Sequence, residues 1–313
     1  MKRMDYTFRI SIGALAALLV VGPFLPQWML FQVTVSFGKG LVVLGLLLLL
    51  RTGLVSFGQG LYYCLGAYTA GSLGLSLGLT DAVLSLLCGA VVAGFIAFIL
   101  GFLLANYRGI FFAMLSLAFS MILYGLLVKT ALLGSTDGFN VGVPTLFGFM
   151  FSGRWARYVV FALACLTVFL AALIMDRYLK TPLGRLSPAI KDNEIRVEYM
   201  GASVRRAIHI KYVIAAILAG AGGALTAITI GHIDPEMAYW TTSGEFVFIT
   251  ILGGTGNVLA PFLGSLIFES IRSFAYEYSP NTWQMVLGAA LLLVIIFLPA
   301  GLWSVFQARQ RRV

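Results

Sequence analysis

The sequence has few charged residues and few residues suited to metal binding or acid–base chemistry. Of its 313 residues 11% are charged, and it has two histidines and three cysteines. The cysteines, Cys64, Cys88 and Cys165, lie within apolar runs and not in a metal-ligand spacing, and no His-Glu-x-x-His segment is present. We therefore expect neither a metal site nor a catalytic residue in this chain.

The sequence also lacks a nucleotide-binding loop. The stretches "GGTGNVLAP" and "SFGKGLVV" are rich in glycine, but neither has the spacing or the terminal Lys-Ser/Thr of the G-x-x-x-x-G-K-[ST] motif. We therefore expect no cofactor on this chain. Energy for its function has to come from another subunit or from an ion gradient.

Apolar residues are abundant. They make up 60% of the chain, its mean hydropathy is +0.97, and apolar runs of about 20 residues recur along it. The runs are continuous and not alternating, which indicates an all-α, polytopic bundle of transmembrane helices and not a β-barrel. Residues 1–313 are predicted to form a single membrane domain. The candidate crossing helices number eight: 10–31, 40–52, 54–78, 82–105, 110–132, 157–176, 209–231 and 283–300.

The charge distribution predicts the orientation. Basic residues collect on the cytoplasmic side of membrane proteins. With the N-terminus inside, the predicted inner segments carry 16 of the 21 Lys and Arg. Lys39 falls between the first two spans and is counted as an outer residue. We expect both termini in the cytoplasm of a bacterial inner-membrane protein. The net charge of +9 then reflects topology and lipid contact, not nucleic-acid binding.

The region 245–275 is too long and too broken to be one crossing helix. Two apolar pieces flank "GGTGN" and Pro261, and both kinds of residue interrupt helices. A hairpin that turns at mid-membrane depth brings the basic tail back inside. Broken helices of this kind line substrate paths in transporters, although a kink without function is the alternative. The candidate path residues here are Gly253, Gly254 and Thr255.

A second glycine-rich stretch, 53–78, carries small or polar residues at almost every turn. Such residues let helices pack closely, so tight packing is the alternative to a substrate path for most of them. Gln59 is distinctive because a buried amide is costly unless it has a partner. The candidate path residues in this stretch are Ser56, Gln59, Tyr62 and Thr69.

The segment "AIKDNEIRVEYMG" is dense in charge and is predicted to be one amphipathic cytoplasmic helix, Ala189 to Gly201, within a loop at about 177–208. Ser187 is its expected cap, Pro188 its first residue and Gly201 its left-handed end. The four-residue spacing lets Asp192 pair with Arg196. The helix either contacts a protein or lies on lipid headgroups. The residues assigned to the contact are Ala189, Ile190, Asp192, Glu194, Arg196, Glu198 and Gly201.

Several segments, in order along most of the chain, resemble one family. They include "GLVSFGQGLYYCLGAYTAG", "STDGFNVGVP", "TPLGR…AIKDNEIRVEYMG" and "SGEFVFITILGGTGNVLAPFLGS". Together they resemble the permeases of ABC importers, and in particular the LivM-type subunit of branched-chain amino acid transporters.

The resemblance implies a set of partners and a mechanism. The partners are a homologous LivH-type permease, two cytosolic ATPases that bind ATP and Mg²⁺, and a periplasmic binding protein. The charged helix would be the coupling helix to an ATPase, and transport would proceed by alternating access. The solute would be a branched-chain amino acid, with urea, a short amide or an aromatic acid as alternatives. A secondary carrier driven by an ion gradient is the competing function, and an intramembrane enzyme finds no matching motif.

Overall fold

The protein is described by a computed structural model that covers residues 2–151, 153–278, 280–298 and 301–304, without the side chains of residues 2–10 and 295. Helices make up most of this part of the chain. They are α1 (Lys2–Val21), α2 (Gln27–Leu50), α3 (Gln59–Leu77), α4 (Ala82–Leu104), α5 (Gly109–Lys129), α6 (Arg154–Lys180), α7 (Pro182–Asp192), α8 (Glu194–Tyr199), α9 (Val204–Ile230), α10 (Trp240–Gly253), α11 (Ala260–Tyr278) and α12 (Trp283–Phe297).

Among the described residues, strands are short and occur only in the connections between helices. They are β1 (Phe139–Asn140), β2 (Thr145–Leu146), β3 (Phe149–Met150) and β4 (His232–Ile233). β1 pairs antiparallel with β4, and β2 pairs antiparallel with β3. Each strand has two residues, so the all-α class predicted from the sequence is confirmed.

Within the described part of the chain, five helices are long and apolar enough to cross a membrane: α2, α4, α5, α6 and α9. Two shorter apolar helical stretches, Ser11–Phe24 and Trp283–Val294, lie near the two ends of the chain. These helices fit a polytopic membrane protein. The number of eight crossings stays a prediction.

Helix α9 lies at the centre of the bundle and packs against α2, α3 and α4. Small residues allow these helices to approach closely. A Cβ atom on Gly222 of α9 would collide with the carbonyl of Gly38 in α2, and one on Gly66 of α3 would collide with the backbone of Gly220. Glycine at these crossings therefore sets the distance between the helix axes.

The first two predicted spans have the wrong boundaries. The span expected at 10–31 ends at Val21, and α2 begins at Gln27, well before the expected residue 40. A short 3-10 turn and Pro26 separate the two helices. Lys39 is therefore not an outer-loop residue. It lies at the midpoint of α2, about 18 Å from the start of the helix.

The prediction of a single helix from Ala189 to Gly201 is also wrong, because the helix is interrupted at Asn193. The first helix, α7, starts at Pro182, and its cap is Thr181, whose hydroxyl accepts from the Gly184 amide at 3.2 Å. Pro188 lies inside α7 and does not begin it. The Asn193 side chain then caps α8 by accepting from the Arg196 amide at 3.0 Å.

The hairpin predicted at 245–275 is present as α10, a turn and α11, but the turn is not at the predicted depth. Both Arg51 Nε and Nη2 donate to the carbonyl of Thr255, at 2.9 and 2.5 Å. Arg51 directly follows the last residue of α2. The turn therefore lies level with the end of α2, and not level with its midpoint.

Candidate functional site

Helix α8 presents an exposed surface that combines apolar and charged side chains. Ile195, Tyr199 and Met200 are 66%, 88% and 70% exposed. An apolar patch rimmed by charge is typical of a protein contact surface. We call α7, α8, Met200 and Gly201 the α7–α8 surface.

A salt bridge holds this surface to the helical bundle. Nε of Arg108, which precedes α5, lies 2.7 and 2.8 Å from the two carboxylate oxygens of Glu194. Arg108 also donates to the carbonyls of Ala105 and Tyr107, at 2.7 and 2.8 Å. The guanidinium thus connects the start of α8 to the α4–α5 connection. Sequence reasoning assigned Glu194 to the partner contact and missed Arg108.

The α7–α8 surface also contacts the connection between α2 and α3, residues 51–58, which we call the α2–α3 linker. A cavity of about 170 Å³ lies between them, lined by Gly53, Arg108, Lys191 and Asn193 among others. Gly53 has φ +83°, and a Cβ built on it would lie 3.6 Å from the Cβ of Lys191. The linker therefore lies beside Lys191 of α7 at one end and begins α3 at the other.

The predicted coupling residues divide into two groups. Ile190 is buried against the bundle, and Ala189 is half-buried. Asp192 and Arg196 are exposed but lie in different helices, on either side of Asn193. The expected Asp192–Arg196 pair on one helix is therefore wrong. The exposed members available to a partner are Asp192, Arg196, Glu198 and Gly201.

Most of the path residues predicted in the 53–78 stretch are completely buried. Ser56, Gln59 and Tyr62 have no exposed surface. The Tyr62 hydroxyl lies 2.9 Å from that of Tyr212 in α9. Thr69 donates to the carbonyl of Leu65 in its own helix. In the conformation described, these side chains pack inside the bundle.

Gln59 starts α3, and its amide oxygen and nitrogen both lack a hydrogen-bond partner within the described chain. Its neighbours in sequence contact serine residues of other helices. The Gly60 amide donates to Ser243 of α10 at 2.9 Å, and the Phe57 amide donates to Ser116 of α5 at 3.1 Å. The start of α3 is thus fixed between α5 and α10.

The two predicted parts of the path do not meet at the hairpin turn. The start of α3 contacts α10 at Ser243, which precedes Gly253 by ten residues, or about 15 Å of helix. Gly253, Gly254 and Thr255 instead lie beside Arg51 and the end of the described chain, where the Leu302 amide donates to the Leu252 carbonyl at 2.8 Å.

A partly buried cluster of four charges, absent from the sequence-based assignment, connects α2, α10 and α11. Lys39 Nζ lies 3.1 Å from Glu245 and 2.5 Å from Glu269. Arg272 Nη1 lies 3.4 Å from Glu245 and 3.7 Å from Glu269. We call these four residues the ion cluster. Lys39, a charged residue next to an apolar run, was a signal for this cluster, but it was counted as an outer residue.

The family model for the permease component of the branched-chain amino acid transport system matches residues 28–296. The chain is 29% identical to the permease LivM of Escherichia coli K12, over 94% of this chain and 74% of that protein. It is 30% identical to LivM of Salmonella typhimurium, over 87% of this chain and 68% of that protein. It is also 25% identical to LivH of E. coli K12, over 80% of this chain and 85% of that protein. No solved structure matches. The predicted resemblance is confirmed, and the chain belongs to the family of branched-chain amino acid transport permease components, of the LivM type.

Proposed function

We propose that this chain is the membrane-spanning, non-catalytic subunit of a binding-protein-dependent ABC importer. Its solute would be small and polar, a branched-chain amino acid in the first place, and transport would follow alternating access. The observation that carries the proposal is the exposed α7–α8 surface, fixed by Arg108 and Glu194 at the same end of the molecule as Arg51.

The partners follow from this assignment. A homologous LivH-type permease would complete the path, and two cytosolic ATPases would bind ATP and Mg²⁺. A periplasmic binding protein would deliver the solute. The complex would lie in a bacterial inner membrane with both termini of this chain in the cytoplasm. The C-terminal arginines Arg309, Arg311 and Arg312, which support that orientation, lie outside the described residues.

The α2–α3 linker offers a physical route from the ATPases to the path. It touches Lys191 of α7 through Gly53, holds the hairpin turn through Arg51 and leads into Ser56 and Gln59. A rigid-body movement of α7 would therefore move both candidate path regions together.

Uptake by proteoliposomes tests the proposal. We expect uptake only when the partner permease, the ATPases, the binding protein and internal ATP are all present. A protonophore, which collapses the proton gradient, should leave uptake unchanged. Uptake by this chain alone, driven by an ion gradient, would establish the secondary carrier instead.

A further inference from the structure

Helix α10 has one exposed stripe, and that stripe contains a carboxylate. Thr241, Glu245, Phe248 and Ile251 recur every three or four residues and are the exposed or half-buried positions along one side. The positions between them, such as Phe246 and Ile249, are fully buried. Glu245 therefore extends from the ion cluster to the exposed lateral surface of the helical bundle.

The ion cluster is closed on one side and open on the other. The side chains of Lys39 and Glu269 are 8% and 13% exposed, whereas those of Glu245 and Arg272 are 22% and 36% exposed. The Lys39–Glu269 contact is also shorter than either contact of Arg272. Lys39 and Glu269 thus form a structural ion pair, and Glu245 and Arg272 border the surface of the bundle.

Lipid is a poor cover for this face. Lys39 lies at the midpoint of α2, and Glu245 reaches it across 3.1 Å, so the open side of the cluster lies within the apolar depth of the bundle. Charged side chains at such depth face a bundle interior or a water-filled cavity, because exposure to hydrocarbon costs several kcal/mol. The α10 stripe therefore borders water or another protein.

We propose that Glu245 and Arg272 form a weak binding site for a zwitterionic amino acid on the wall of the translocation path. Glu245 accepts hydrogen bonds from the ammonium group of the solute, and Arg272 donates to its carboxylate. The inference rests on the proposed importer function and assigns the path wall to α10 rather than to the buried residues of α3.

The geometry suits a transient exchange of ion pairs. Arg272 has only long contacts to the two carboxylates, and its guanidinium lies 5.3 Å from the centre of the Trp283 ring, which holds it in place. Lys39 remains paired with Glu269 when Glu245 turns to the solute. The four charges sum to zero before and after binding, so entry of a zwitterion leaves no net charge at depth. Weak binding is required because the solute has to leave again.

The test measures binding to the purified complex of both permeases and both ATPases in nanodiscs, without binding protein. The probes, detected by saturation-transfer NMR, are leucine, 3-methylbutylamine, which has only the ammonium group, and 4-methylpentanoate, which has only the carboxylate. We expect Glu245→Gln to weaken the binding of 3-methylbutylamine by about tenfold and to leave the binding of 4-methylpentanoate unchanged. Arg272→Gln should weaken the binding of 4-methylpentanoate by about tenfold and leave that of 3-methylbutylamine unchanged. Both should weaken leucine binding.

Glu277→Gln, a change at an exposed residue near the end of α11, is the matched control and should not alter the binding of any of the three probes. If Glu245→Gln does not assemble, Glu245→Asp replaces it and should retain amine binding. The proposal is wrong if wild-type complex binds none of the probes, or if each variant changes all three equally. ATP-dependent uptake by the same wild-type complex with binding protein reports on the importer function separately.

Discussion

Arg108 and Glu194 are 86 residues apart in sequence, and both carboxylate oxygens of Glu194 lie within 2.8 Å of Arg108 Nε. This salt bridge fixes α8 to the bundle at the connection between α4 and α5. Its side chains are about one third exposed, so it contributes only about 0.2–1 kcal/mol. Its role is to orient the α7–α8 surface rather than to stabilise the fold.

Reversing one charge of this pair should detach α8. In Glu194→Arg two cations face each other, so we expect less ATPase to co-purify with the permease and uptake to fall severalfold. The double change Arg108→Glu with Glu194→Arg restores an ion pair and should recover much of both. A double variant no better than Glu194→Arg alone would mean that this pair does not orient the surface.

The backbone at Gly201 should tolerate asparagine better than valine. Its φ is +84°, and no atom lies within 4 Å of an added Cβ, so the cost is backbone strain and not a collision. Strain of about 1–2 kcal/mol at a β-branched residue should displace the end of α8 and lower uptake in Gly201→Val. Gly201→Asn should be close to wild type, since Asn adopts left-handed conformations. Immunoblots of membranes control for insertion, and equal uptake by the two variants would contradict the prediction.

A disulfide should form between the α2–α3 linker and α7. The Cβ separation of 3.6 Å at positions 53 and 191 falls within the range of natural disulfides. We expect Gly53→Cys with Lys191→Cys, in a chain without the three native cysteines, to cross-link under oxidation. Because the linker is proposed to move together with α7, the cross-linked protein should retain uptake.

Gly53→Ser with Lys191→Cys is the control for this experiment, because it carries similar backbone strain at φ +83° without a second thiol. Loss of uptake on cross-linking, reversed by dithiothreitol, would mean that the linker and α7 move relative to each other and would contradict the proposed route.

The orientation predicts the behaviour of a C-terminal reporter. A phosphatase that is active only outside the cytoplasm should stay silent when fused after Val313. The same enzyme inserted after Gly148, in the connection that contains β2 and β3, should be active. An active C-terminal fusion would reverse the orientation and place the α7–α8 surface outside.

Hydropathy and helix-breaking residues determined the architecture of this protein. Continuous apolar runs predicted α4, α5, α6 and α9 within a few residues, because a membrane leaves the backbone little choice but helix. The left-handed conformation of Gly201 was predictable as well, since glycine adopts it at no steric cost.

The prediction failed where the sequence contains more than one local signal for the start or the end of a helix. Ser187-Pro188 and Thr181-Pro182 are equally good helix starts, and the structure uses the second, with Pro188 inside the helix. Asn193 interrupts the charged segment because its side chain caps α8, although the sequence there continues an amphipathic pattern. Sequence alone does not rank such alternatives, because the choice depends on which arrangement buries Ile190 and Val197 against the bundle.

The ion cluster was decided by tertiary structure alone. A lysine in a long apolar run indicates a loop unless a counter-charge is available, and the partners of Lys39 lie 206 and 230 residues away in the sequence. Only the packing of α10 and α11 against α2 brings the carboxylates to the ammonium group and makes a charge at the midpoint of a helix energetically tolerable. The sequence by itself determined which segments are helices in a membrane, whereas the packing of these helices decided which charges are buried and which face a partner or a solute.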